Sequence, residues 1–170
     1  LNQALGHVSE TLEPNRDQPP PSAERIFDGP VLQIEAIELT LRELLDGLCA
    51  QLLSLEAGAL RLDIELCRIY DQPARTAITL SRPTRHVRHL WALLWPKVEV
   101  LNLGDGVEVV SITAVRIAPL AHDQVQHWPD DSHTSREQNQ HASELIDTLI
   151  ARLGSDRVLR VRMIESHVPE

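Results

Sequence analysis

The sequence has 170 residues, enough for one domain with a sizeable core, and its 42% hydrophobic and 24% charged content is that of a globular chain. A formal charge of −9 excludes non-specific nucleic-acid binding by the surface as a whole, because such binding needs Lys and Arg to neutralise phosphates. No run approaches the roughly 18 apolar residues of a membrane span, and no signal peptide is visible.

With aromatics at 3%, the core falls to Leu, Ile and Val. Cys49 and Cys67 lack CxxC spacing and read as thiols in a reducing, cytoplasmic compartment. The chain does not begin with Met, and Met163 is its single Met, so a piece of a longer protein is expected.

Residues 1–7 read as the end of a helix capped by Gly6. Residues 8–23 carry Pro14, Pro19, Pro20 and Pro21 among polar neighbours and form a linker. Glu24–Asp28 is a brief strand broken by Gly29 and Pro30. Val31–Ala57 is the longest helix, with Ile37, Leu41, Leu44, Leu48 and Leu52 on one stripe and Gly58 as its C-terminal stop. Leu60, Leu62, Ile64 and Leu66 then alternate with Arg61, Asp63 and Glu65. After a turn at Asp71-Gln72-Pro73, Thr76, Ile78 and Leu80 repeat the pattern, so an antiparallel hairpin with one apolar face is expected.

Pro83 and Thr84 should end the hairpin, with Thr84 capping a helix whose stripe is Val87, Leu90, Trp91 and Leu94 and whose exit is Pro96. Val107–Leu120 is rich in β-branched residues and apolar on both faces, as in a strand that is central or covered on both sides. Residues 121–138 read as a mobile polar loop ending in a capping box at Ser135–Gln138. An amphipathic helix follows from Ala142 to Leu153, closed by Gly154, and Arg157–Ile164 alternates as a final strand. The order β-α-β-β-α-β followed by α-β predicts an α+β fold, an antiparallel sheet with helices packed on one face.

Catalytic signals are missing. There is no HExxH, no Cys/His zinc spacing, no GxSxG and no Gly-rich phosphate loop, so neither a catalytic centre, a metal nor a cofactor is expected. His86 and His89 are three apart on the second predicted helix, and the loop histidines His122, His127 and His133 beside Asp123, Asp130 and Asp131 read as solvated side chains. The basic residues are less evenly placed. From Arg61 to Arg88, six arginines (Arg61, Arg68, Arg75, Arg82, Arg85 and Arg88) face Asp63, Glu65 and Asp71, a local +3.

Arg75, Thr79 and Ser81 share a strand face, and Arg82, Arg85 and Arg88 gather at a helix start, where free N–H groups beside guanidiniums suit a phosphate. The same residues equally suit a solvated face that offsets an acidic chain. Gln124-Val-Gln-His-Trp128 has the form of a clamp-docking peptide, with Gln124 leading and Trp128 as anchor, although His127 stands where Leu is expected.

LxxALG at the start, the Pro-rich tether, LRELLDGLCAQL, LRLDIEL, SRPTRHVRHLWALL and the closing ARLG-x-x-RVLR…ESHxPE together resemble the C-terminal half of ImuB-type proteins, bacterial relatives of Y-family translesion DNA polymerases. The resemblance covers nearly the whole chain. It implies that 1–7 end a thumb-like helix, that 24–120 form a little-finger core, and that 139–170 extend it. Little fingers lie across primer–template DNA and contact backbone phosphates with their exposed sheet.

ImuB-type proteins are expected to be non-catalytic adaptors in damage-induced mutagenesis. They link the sliding clamp, an error-prone replicative-type polymerase and a RecA-like accessory protein in the nucleoid. The family's main clamp-binding peptide is expected beyond Glu170. The chain departs from the pattern in its acidity and in Val168, where Arg usually follows the His. A docking module that binds protein partners and never touches DNA is the alternative.

Overall fold

The computed structural model describes residues 19–120, 132–154 and 157–158. Its elements run β1 (Ser22–Val31), α1 (Ile34–Ser54), β2 (Ala57–Arg68), β3 (Ala74–Thr84), α2 (Val87–Val98), β4 (Val107–Pro119) and α3 (Ser132–Leu153). The four strands form one antiparallel sheet in the order β1-β4-β2-β3, with α1 and α2 packed on one face. The expected α+β class is the observed one. The helix end expected at 1–7, most of the linker, and all but Arg157 and Val158 of the final strand expected at Arg157–Ile164 lie outside the described residues.

Period decides which side chains meet. Ile37, Leu41, Leu48 and Leu52 recur at helical spacing on α1, and Leu62, Ile64 and Leu66 at strand spacing on β2, so both present continuous apolar surfaces and bury them against each other. Ile78 and Leu80 of β3, Leu90 and Leu94 of α2, and Val110 and Ile112 of β4 complete the core. Each such side chain contributes about 1.5–3 kcal/mol by leaving water. The scarce aromatics seal the gap between the helices: Trp91 stacks on Trp95 at 5.3 Å, and the Arg42 guanidinium lies 4.4 Å from the Trp91 ring centre.

Several boundaries differ from expectation, each for a physical reason. β1 begins inside the stretch read as linker and continues through Gly29-Pro30 to Val31, with a register irregularity after Ile26. An edge strand tolerates a proline, because one side of it has no ladder to supply. α1 stops at Ser54, and Glu56, at φ 51°, makes the turn that Gly58 was expected to make. Gly58 instead lies within β2.

Thr84 closes β3 rather than capping α2; its hydroxyl accepts the His86 N–H, and the cap position falls to His86. α2 runs two residues past Pro96 because Val98 is buried and the Glu99 N–H still donates to the Trp95 carbonyl. β4 is central, as one alternative had it, but it is covered on one side only, leaving Val115 and Ile117 exposed. α3 starts at Ser132, within the stretch 121–138 read as loop.

α3 covers the outer edge of β3 and touches α2. A single carboxylate makes the joint. Asp147, 3% exposed at its side chain, accepts the Ser81 backbone N–H at 2.6 Å through Oδ1 and lies 2.9 Å from His89 Nε2 through Oδ2. An edge strand that would otherwise offer a bare N–H is thereby satisfied from a helix. Asp147→Ala leaves two part-buried polar groups without partners, at about 1–3 kcal/mol. Native-state hydrogen exchange should then show protection of the Ser81 amide and of α3 falling at least about tenfold, with β2 unchanged.

Candidate nucleic-acid interface

Among the described residues the helices leave one sheet face open, and register determines what it displays. Along β2 the side chains between Leu62, Ile64 and Leu66 are Arg61, Asp63, Glu65 and Cys67, so these point away from the helices. Cross-strand partners share a face. Glu65 stands beside Arg75 of β3 and Ser111 of β4, and Ser111 stands beside Glu24 of β1. Asp63 stands beside Ala77 and Thr113, and Arg61 beside Thr79 and Arg116. Arg61, Asp63, Glu65, Arg75, Ser111 and Thr113 line an open depression of about 560 Å³.

Three guanidiniums, Arg61, Arg75 and Arg116, therefore share these rows with three carboxylates, Glu24, Asp63 and Glu65. Two of the three arginines are held. Arg61 Nε donates to Asp63 Oδ1 at 2.7 Å, and Arg75 donates to Glu65 Oε1 at 3.0 Å. These hydrogen bonds, reinforced by the carboxylate charges, raise both guanidiniums above their ordinary values, so both stay cationic. Arg116 makes no ion pair among the described residues, yet it faces Arg61, a like-charge juxtaposition that a sheet has no structural reason to keep.

The expected arginines divide. Arg61, Arg75 and Thr79 come together on the open face. Arg68 does not join them: 12% exposed at its side chain, it clasps the loops by donating to the Gln72 and Asn102 carbonyls, with Asp71 at 2.9 Å. Ser81 is exposed, but its backbone N–H is taken by Asp147. Arg82 lies near the end of β3, Arg85 in the connection, where it reaches the Ala57 carbonyl at 3.4 Å, and Arg88 in the first turn of α2.

Gln124 and Trp128 lie outside the described residues. Arg116 was missed because it lies beyond the Arg61–Arg88 cluster in sequence; only the β2–β4 register brings it to Arg61. A lone Arg in a strand rich in β-branched residues was the available signal.

No group of three or more His, Cys, Asp or Glu stands together as a metal site among the described residues. His89, one of the paired helix histidines, is engaged by Asp147. Both cysteines are free, and neither is an activated thiol. Burial pushes the Cys49 thiol up to about 11, and burial, with Glu65 alongside, raises Cys67. No helix among the described residues is long and apolar enough to cross a membrane.

Comparison with known proteins decides the lineage. Protein ImuB of Caulobacter vibrioides, from two strains, is 32% identical over 170 residues, the whole of this chain and 36% of that protein. The chain is an ImuB homologue. It spans about a third of the length of the curated relatives it matches. No protein-family model matches it.

Among solved structures, a Y-family DNA polymerase chimera built from Dbh and Dpo4 aligns with 70% of this chain and 34% of its own, at TM-score 0.53 and 10% identity. A binary complex of Dbh DNA polymerase aligns with the same shares at TM-score 0.51 and 11% identity. The little finger domain of PolIV, solved in complex with the beta-clamp, aligns with 66% of this chain and 97% of its own at TM-score 0.46 and 16% identity. The fold is one that these Y-family DNA polymerase structures carry over about a third of their length.

Proposed function

We propose that this ImuB homologue uses the open sheet face to hold the backbone of primer–template DNA, as a non-catalytic little finger within a bacterial adaptor for damage-induced translesion synthesis. The observation that carries the proposal is the Arg116–Arg61–Thr79 row with Arg75 beside it. Guanidiniums and hydroxyls on a surface free of helices suit phosphate oxygens and carry no base-reading pattern. In this reading the rest of the parent protein brings the sliding clamp, the error-prone polymerase and the RecA-like accessory protein, and the Pro-rich stretch 8–23 is the tether.

Binding of fluorescent primer–template DNA, followed by anisotropy, tests the proposal. If Arg61, Arg75 and Arg116 each meet a phosphate, log K should fall with log salt at a slope of up to about −2.7, the limit for three contacts and a loss of at most roughly fortyfold between 50 and 200 mM. A salt-insensitive interaction would exclude the proposal.

A second reading has its own observation. Leu145, Leu149 and Leu153 recur every four residues on α3, and all three are exposed, Leu145 at 60%. Such a stripe suits a protein partner, and under that reading the DNA assay is silent while Leu145→Ser weakens capture of the partner.

A further inference from the structure

The open face carries its own competitors. Within the depression each arginine is already bonded to a carboxylate on the same sheet: Arg61 to Asp63, two residues along the strand, and Arg75 to Glu65, directly across the ladder. Both pairs lie at the surface, with side-chain exposures of 48% and 40% for Arg61 and Asp63 and 69% and 34% for Arg75 and Glu65. Exposed pairs of this kind add little to folding, so stability does not account for them. Their geometry is that of a guanidinium meeting an oxyanion, the contact a backbone phosphate would make.

We propose that Asp63 and Glu65 act as built-in phosphate substitutes that mask Arg61 and Arg75 and set the affinity of the face for DNA. This rests on the reading of that face as the DNA contact and adds its regulation. For DNA to bind, each phosphate must displace a carboxylate, and the displaced carboxylate remains beside the phosphodiester as an uncompensated negative charge. That charge weakens binding directly. It also draws cations back to the surface, so fewer ions are released overall and the salt dependence is shallower than the number of contacts implies. Glu24 adds to the same field from β1, where it stands beside Ser111 one strand from Glu65.

A face masked in this way engages DNA only when its concentration near the duplex is high, as it is when the domain is tethered to a complex already on the template. The acidic chain and the neutralised sheet then have one consequence. The domain ignores bulk DNA and closes on the template when delivered.

The experiment compares primer–template binding of three forms of the chain by anisotropy, across 50–200 mM salt. They are the unaltered chain, Asp63→Asn with Glu65→Gln, and Glu35→Gln with Asp46→Asn. The last pair removes the same charge from exposed positions on α1, outside the sheet rows. Unmasking predicts about tenfold tighter binding for the sheet variant at 50 mM, a steeper salt slope, and little change for the helix variant.

Equal affinity of the sheet variant and the unaltered chain overturns the masking while leaving the DNA reading intact. Equal tightening by the helix variant overturns it as well, because net charge then suffices. Absence of binding by all three forms at 50 mM overturns both.

Discussion

Gly58→Ala should destabilise the domain by about 2–3 kcal/mol, while the same chemical change at Gly47 should stabilise it by up to about 1 kcal/mol. Gly58 lies where β2 passes under the bulged end of β3. A Cβ there would stand 2.6 Å from the Thr84 nitrogen and 2.8 Å from the Pro83 carbonyl carbon. Both are backbone atoms, so no side chain can rotate away, and relief requires prising the two strands apart.

Gly47 sits on the exposed side of α1 with nothing within 4 Å of the added methyl. Alanine there restricts the unfolded chain without touching the folded one. Urea unfolding of the two variants checks the pair, and opposite signs are the expected result. Destabilisation at both positions would mean that intrinsic strand and helix preferences, and not the β2–β3 approach, govern this end of the sheet.

Replacing Arg61, Arg75 and Arg116 together by Glu should lower affinity for primer–template DNA by at least about a hundredfold at 50 mM salt, since three counterion-releasing contacts become repulsive. The melting temperature should hardly move, because exposed ion pairs of the Arg61–Asp63 and Arg75–Glu65 kind are worth about 0–1 kcal/mol. Arg25→Glu with Arg152→Glu is the control, shifting net charge by about four units where the triple variant shifts it by about six. Arg25 pairs with Glu43 on the helix side of the sheet, and Arg152 lies in the last turn of α3. That control should cost only a small factor through general charge, and an equal loss would show that the sheet rows have no special standing.

Periodicity along one segment revealed elements; meetings between segments did not show in it. The Leu stripe of α1 and the alternation of Leu62, Ile64 and Leu66 were legible because burial imposes a local pattern on each. Gly58 was misread as a helix stop because a glycine needed for a positive φ and a glycine needed for a close approach look the same until Thr84 is in place. Pro83 and Pro30 were read as breaks, yet both sit in edge strands, and nothing local tells an edge strand from a central one.

The candidate site divided in the same way. The cluster from Arg61 to Arg88 was visible as charge, but its members separate. Arg61 and Arg75 lie on the open face, Arg68 is turned inward to hold loop carbonyls, and Arg82, Arg85 and Arg88 run from the end of β3 into α2; Arg116, outside the cluster in sequence, joins the open face only through the β4 register. The role of Asp147 was hidden for the same reason, its partners Ser81 and His89 being 66 and 58 residues away.

The most direct measurement maps DNA onto the domain residue by residue, by backbone amide chemical shifts during titration with primer–template DNA at 50 mM salt. The account predicts that shifts concentrate at Arg61, Asp63, Arg75, Thr79, Thr113 and Arg116, and that α1 and α2 stay unchanged. Shifts confined to the helical layer or to the Leu145–Leu153 stripe, with the sheet rows unmoved, would contradict it.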